Sequence, residues 1–213
     1  MCEATLKNKN LIFWDFDGVI KDSVDVKTAA YEHLFLSFGL EIAGRIRRHH
    51  EANGGLSRFN KIPLYLEWAG QPASQEQSEV FCDQFSQAVM HAVINSPWVP
   101  GVREYLLKHH KDQYFVLVTA TPQDEIEQIL ATLQISQCFQ EIFGAPTKKE
   151  QAIKTVLDKL NYPPLQALMI GDSESDLLAA QANEIPFFLR RTSLNRPLQA
   201  IFQGTIFDDF TYE

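Results

Sequence analysis

Several things are scarce in this 213-residue chain, and each scarcity excludes something. Cys2, Cys82 and Cys138 are odd in number and show no metal-type spacing, so three reduced thiols in a cytosolic protein are expected. Positive charge is in deficit: 19 Lys and Arg against 27 Asp and Glu leave a net charge of −8. No basic stripe offsets it, which argues against nucleic acid as a partner. No apolar run approaches the roughly 20 residues needed to cross a bilayer. Met1 to Asn10 is polar and short and lacks the apolar region of a signal peptide, so a cytoplasmic protein without a membrane partner is expected. Internal repeats and low-complexity segments are absent as well.

What is present is apolar material, 45% of the chain including 15 Phe, enough for one large domain or a core with a modest insertion. The stretch from Leu11 to Ile20 organises it. Leu11 to Trp14 shows no alternation, which suits a strand buried on both faces of a parallel sheet. It runs into Asp15 and Asp17, then Gly18. Two carboxylates this close repel, and one is driven neutral unless a cation sits between them. They read as a metal or phosphoryl site at the carboxyl end of a central strand.

Asp22-Ser23 is placed to cap a helix from about Val24 to Phe38 that stops at Gly39. Glu41 to Glu51, with Ile42 and Ile46 as a thin apolar face, predicts a mostly exposed helix ended by Asn53-Gly54-Gly55. Asn60 to Trp68 predicts a short helix beginning near Pro63. Ser74-x-x-Gln77 has the form of a capping box heading a helix that buries Phe81, Phe85, Ala88 and Ala92. Ser96-Pro97-Trp98-Val99-Pro100-Gly101 then marks a hinge or boundary. Beyond it, strands alternate with helices: Tyr114–Val118, Ala167–Ile170, Pro186–Leu189 and a short last strand at Ile206-Phe207, with Thr121 and Asp124 predicted to cap a helix opening at Pro122. The pattern predicts an α/β fold: a doubly wound parallel-sheet core with an inserted all-helical cap. The core comprises residues 1–21 and 98–213, the cap 22–97.

Three predicted strands stop at polar residues: Asp15-x-Asp17, Thr119 and Asp172. In open α/β sheets ligands bind outside the carboxyl ends of the strands, so these groups converge on one crevice. Asp172 and Asp176, four apart at a helix start, share a face; Asp172 or Ser173 as a simple cap, with Asp176 favouring the dipole, is the competing reading. Beside Asp15 and Asp17, four carboxylates form a hard-cation site suited to Mg²⁺. Lys148 and Lys149 stand in the first turn of a helix, where the dipole disfavours cations, and one of them is a candidate to neutralise a carboxylate nucleophile and its phosphoryl target. The pairs His49-His50 and His109-His110 are adjacent on helices, poor chelators, and read as solvated faces.

Taken together, these residues resemble the haloacid dehalogenase superfamily of aspartate-nucleophile hydrolases over nearly the whole chain. Asp15-Phe16-Asp17-Gly18-Val19-Ile20 is similar to its first motif, Thr119 to the second, Lys149 to the third, and Gly171-Asp172-x-x-x-Asp176 to the fourth. The resemblance implies that Asp15 attacks phosphorus to form an aspartyl-phosphate and that Asp17 is the acid and base. It implies Mg²⁺ held by Asp15, the Asp17 carbonyl and Asp172, with Asp176 assisting. Thr119, the backbone of Ala120 and Gly18 would then line the phosphate site, with Lys149 supplying charge. The cap turn Gly54-Gly55-Leu56-Ser57-Arg58 resembles that of β-phosphoglucomutase-like members, which makes Arg58, and also Lys27, candidates to hold the substrate.

The implied activity is a Mg²⁺-dependent phosphatase on a small phosphorylated metabolite of the phosphoglycolate or sugar-phosphate type. The alternatives are a phosphomutase, a 2-haloacid dehalogenase and a non-catalytic phosphometabolite-binding protein. Mutases of that kind carry a glutamate where this chain has Gly171, and dehalogenases lack the second acid, here Asp17. Monomer and homodimer are equally open.

Overall fold

The computed structural model describes residues 6–211. Six strands, β1 (Leu11–Trp14), β2 (Tyr114–Pro122), β3 (Glu141–Ala145), β4 (Leu168–Gly171), β5 (Phe187–Arg190) and β6 (Thr205–Phe207), form one sheet in the order β3-β2-β1-β4-β5-β6. Every pairing is parallel. The sheet is built outward from β1 in both directions, which puts the topological switch point at β1 and the crevice at its carboxyl end.

Side-chain alternation explains the two layers. Ile12, Trp14, Phe115, Leu117, Leu168 and Ile170 face one side, against Val102, Tyr105 and Leu106 of α5 (Val102–His109) and Ile126, Ile129 and Leu130 of α6 (Gln123–Thr132). Leu11, Phe13, Val116, Val118 and Met169 face the other, against Ala152, Ile153 and Val156 of α7 (Lys149–Leu160) and Ala179 and Ala180 of α8 (Glu174–Ala182). A short α9 (Arg196–Ile201), with Asn195 at its N-cap and Pro197 in its first turn, seals that layer with Leu198.

Between β1 and α5 lie four helices, α1 (Val24–Leu34), α2 (Leu40–Ala52), α3 (Arg58–Trp68) and α4 (Gln75–Asn95). Four expectations are corrected here. α1 ends at Leu34, and Leu36–Phe38 is a separate 3₁₀ turn. α3 begins at Arg58, where the Ser57 hydroxyl accepts the Phe59 N–H at 3.3 Å, so Pro63 lies inside the helix. In α4 the buried face continues from Phe85 to Val89 and Val93, four residues at a time, rather than to Ala88 and Ala92. His50 and His109 are buried, not solvated. Cys82 and Cys138 are buried and unbridged, whereas Cys2 lies outside the described residues.

The two connections to the insertion pair with each other. Val99 N–H donates to Ile20 C=O at 3.1 Å and Asp22 N–H to Pro97 C=O at 2.9 Å. Lys21 is buried between them, donating to Ile94 C=O at 3.0 Å with its ammonium 4.6 Å from the Trp98 ring centre. No helix among the described residues is long and apolar enough to cross a membrane.

Candidate active site

Asp15 continues the β1 pairing, its N–H on Ile170 C=O at 3.0 Å, and then the chain turns sharply, with Ile20 N–H on Phe16 C=O at 2.8 Å and Gly18 N–H on Lys21 C=O at 2.7 Å. Gly18 sits at φ +75°, and a Cβ there would lie 2.1 Å from an Asp172 carboxylate oxygen. Only glycine lets this turn close over the end of β4. Consecutive acids thereby face different surroundings, because one belongs to the strand end and the other to the turn.

Asp15 joins the core cluster. Lys149 Nζ lies 3.0 Å from Asp15 Oδ1 and 2.5 Å from Asp176 Oδ1. Carboxylate oxygens of Asp15, Asp172 and Asp176 all lie within 4.8 Å of one another. Burial and then the Asp176 carboxylate push the Asp15 carboxyl up to about 7, against the pull of Lys149. Burial and the Asp15 charge raise Asp172 well above the carboxylate range. Lys149 is buried too, yet the two carboxylates raise its ammonium above its ordinary value. Lys148 is exposed, so of the pair it is Lys149 that reaches the carboxylates.

Asp17 faces the insertion. Lys27 Nζ from α1 is 2.5 Å from Asp17 Oδ2, and the Ser23 hydroxyl donates to Oδ1 at 2.6 Å. Burial alone would raise this carboxyl, but the Lys27 ammonium, with the Lys27 and Ser23 hydrogen bonds, holds it below the usual range. The Thr121 hydroxyl receives Lys27 at 2.9 Å and donates to Asp17 Oδ2 at 3.3 Å.

Two predicted caps are therefore corrected. Neither Ser23 nor Thr121 caps a helix through its side chain; α6 has Pro122 at its N-cap. Thr121 follows Thr119 by two, on the same face of β2, which is the signal that links it to the site. Asp22 binds the Arg190 guanidinium from β5.

Thr119 is buried within β2, which runs on to Pro122 instead of stopping at Val118; it accepts the Thr121 N–H at 3.2 Å, and Ala120 lies where the β2–β3 register shifts. At the head of α8, Ser173 donates its hydroxyl at 2.6 Å and its N–H at 3.1 Å to Asp176 Oδ2. Asp176 thus takes part both in the helix cap and in the carboxylate cluster. Arg58 is buried with its guanidinium forked onto Glu125 of α6 at 2.7 and 2.8 Å and hydrogen-bonded to Ser86. Nothing in the local sequence around either residue marks that pair, 67 positions apart.

The donor set fits a hard divalent cation. Three carboxylates converge, and among the described residues no hydrogen bond reaches the Asp172 carboxylate, buried though it is. The Asp17 side chain is not in this cluster. A cleft of about 550 Å³, lined by Gly54, Gly55, Leu56, Asp172, Ser173 and Leu198 among others, opens at the seam beside it.

Comparison with known proteins meets this geometry. A phosphoglycolate phosphatase of Aliivibrio fischeri is 31% identical over 95% of this chain and 93% of its own length. That of Pseudomonas fluorescens is 29% identical over 81% of this chain, and the match spans only 65% of the longer relative. Among solved structures, β-phosphoglucomutase from Clostridium difficile superposes with a TM-score of 0.74 at 19% identity, covering 95% of this chain and 92% of that one. CbbY from Rhodobacter sphaeroides, in complex with phosphate, gives 0.73 at 16%, covering 95% of each. The model of the haloacid dehalogenase-like hydrolases matches residues 12–189, from the strand that carries the two acids to the one beyond Asp172, and the chain belongs to that family.

Proposed function

We propose that the protein is a phosphatase that uses Mg²⁺ to hydrolyse a small phosphorylated metabolite through an aspartyl-phosphate on Asp15. The observation that carries this reading is the separation of the two acids. Asp15 lies with Lys149 and the carboxylate cluster, and Asp17 with Lys27, Ser23 and Thr121. Adjacent titratable groups with opposed environments take opposed roles.

Asp15 Oδ attacks phosphorus, and Lys149 offsets the charge of nucleophile and phosphoryl oxygens. Thr119 and the Ala120 backbone bind those oxygens, beside Gly18. Asp17 in its acid form protonates the leaving oxygen; the arriving phosphate dianion both raises Asp17 and draws Lys27 from it. Once the alcohol has left, Asp17 is a carboxylate again and accepts the proton of the water that attacks the phosphoaspartate. Mg²⁺, held by Asp15, Asp172 and the Asp17 carbonyl with Asp176 behind them, would supply the charge that lets carboxylate and phosphate approach.

Residues 22–97 would act as a cap, hinged at the paired connections and closing over the cleft to exclude water. Two observations weigh against the mutase. The Arg58 fork is occupied by Glu125, and a Cβ at Gly171 would come within 2.3 Å of the Asp176 Cβ, so a glutamate there does not fit this Asp176. The dehalogenase is disfavoured by Asp17 and its built surroundings. A cytoplasmic setting suits the unbridged thiols.

Release of phosphate from p-nitrophenyl phosphate and a panel of phosphometabolites, with and without Mg²⁺, tests the reading. Asp15→Asn is expected to lower the rate by about 10⁴-fold or more, as loss of a nucleophile does. No release with Mg²⁺, or equal release by the variant, removes it.

A further inference from the structure

The insertion carries a second buried lysine that the mechanism does not use. Lys61 stands one turn after Arg58 on α3 and is 1% exposed. Its Nζ lies 2.9 Å from His50 Nδ1 and 3.4 Å from Gly54 C=O, and among the described residues no carboxylate comes within ion-pair reach. In its ammonium form Lys61 has only protons to give, so in that form His50 Nδ1 accepts and the imidazole proton sits on Nε2. That Nε2 is itself buried without a partner. The pair is thus short of acceptors: one Lys61 N–H and one His50 N–H have none. Buried donors without acceptors are costly, and the group that completes them is an oxygen-rich one.

The position of the pair says which oxygens those are. Lys61 Nζ is 5.8 Å from the ring centre of Tyr31, one turn along α1 from Lys27, whose ammonium holds Asp17. The Gly54 carbonyl belongs to the turn that rests on the loop after β4, where a Cβ on Gly55 would fall 2.5 Å from Ser173 Oγ. Lys61 therefore stands behind Gly54, which lines the cleft together with Asp172, and it feels the charges of both Lys27 and Asp17. Arg58, beside it, is already paired to Glu125, which leaves Lys61 as the buried cation of α3 without an anion.

We infer that Lys61, positioned by His50, receives a carboxylate of the substrate, so that the enzyme selects phosphate esters that also carry a carboxylate over neutral ones. The inference rests on the phosphatase reading and names the substrate class within it. Lys61 then contributes to binding on the insertion side while Lys149 serves the phosphoryl group on the sheet side. Burial and the neighbouring Lys27 also lower the Lys61 ammonium to about 7, as befits a cation waiting for its counter-charge.

The test compares kcat/KM of the full-length protein, with Mg²⁺, for 2-phosphoglycolate and for 2-hydroxyethyl phosphate, a matched ester without the carboxylate. The wild type is expected to prefer the first at least tenfold. Lys61→Met should cut that ratio at least tenfold, chiefly by raising KM for phosphoglycolate. Lys61→Gln, which keeps an N–H for His50, reads the same ratio should the methionine variant fail to fold. A wild type that hydrolyses both esters equally, or variants that keep the full ratio, overturns the assignment of Lys61. Absence of phosphate release from either ester or from p-nitrophenyl phosphate overturns the phosphatase reading instead, so the two failures are told apart.

Discussion

At the strand ends, Lys149 lies 3.0 and 2.5 Å from two carboxylates, and its charge is answered on the spot. In the insertion, Lys61 finds a histidine nitrogen and a carbonyl, while Arg58 and Lys27 take their partners, Glu125 and Asp17, from the core. Both regions bury charge, but Lys149 takes its two partners from the sheet side alone, whereas Arg58 and Lys27 of the insertion take theirs from the opposite wall. On the proposed reading, cations that depend on the opposite wall would register closure of the insertion, and Lys61, which no carboxylate answers, would take its partner from the substrate.

After Asp15→Asn, the largest effect belongs to Asp17→Asn, which strikes the junction of the two regions. It removes the proposed acid and base while retaining an acceptor for Lys27, and phosphate release is expected to fall about 10²- to 10⁴-fold. Burst kinetics with p-nitrophenyl phosphate should show the second half-reaction, attack by water, slowed along with the first. A rate within twofold of wild type would mean that Lys27 and Thr121 serve the proton transfer without Asp17.

Glu125→Gln breaks the cross-wall pair and leaves Arg58 buried without its counter-charge. Loss of one partner of a buried pair costs about 3–5 kcal/mol, measurable by urea denaturation. Restoring apolar packing with Arg58→Met in the same chain should recover much of that loss. A single variant as stable as wild type would show that the insertion does not depend on this contact.

How much of this was legible follows the same division. β1, β2 and β4 announce themselves by unbroken apolar runs, and each acid or threonine at their ends is fixed by its place on the strand. Local sequence suffices there, because a parallel sheet sets the convergence of its strand ends. In the insertion, the helices were readable and their faces only partly so. Phe85 leads to Val89 and Val93 because α4 packs by four-residue steps, a register that two alanines nearby obscured. Ser23 and Thr121 look like caps in isolation and become ligands of Asp17 only when the turn after β1 meets β2. Arg58 was visible as a cation, but Glu125 was not visible as its partner, since long-range pairing leaves no local trace.

Mg²⁺ tests the claim that the core cluster lacks only a cation. With its carboxyl raised from 3.8 to about 7, Asp15 binds more protons folded than unfolded across that interval. Metal-free stability should therefore fall as pH rises from about 4 to about 7, the direction also set by Asp172. Asp17, lowered in the fold, acts oppositely and withdraws its stabilisation only as pH falls through its depressed value. Mg²⁺ at 100 times its dissociation constant adds about 2.7 kcal/mol, and the increment in thermal denaturation should be larger at pH 7.5 than at pH 5, where protons compete. Equal increments would place the ion away from these carboxylates.

The smallest effect separates the regions most cleanly, because it uses the same device in each. Ser74 heads α4 and accepts the Gln77 N–H at 3.2 Å on an exposed face; Ser173 heads α8 and donates to Asp176 at 2.6 Å. Either serine changed to alanine should cost about 1 kcal/mol of stability, the usual value of a helix cap. Ser74→Ala should stop there, with kcat and KM unchanged, since its helix end lies about 30 Å along α4 from the hinge. Ser173→Ala also frees a carboxylate that Lys149 shares with Asp15, and losses of about 10- to 100-fold in Mg²⁺ affinity or turnover are expected from a partner of a metal-binding acid. Equal kinetics in the two variants would reduce Ser173 to an ordinary cap and leave Asp176 positioned by Lys149 alone.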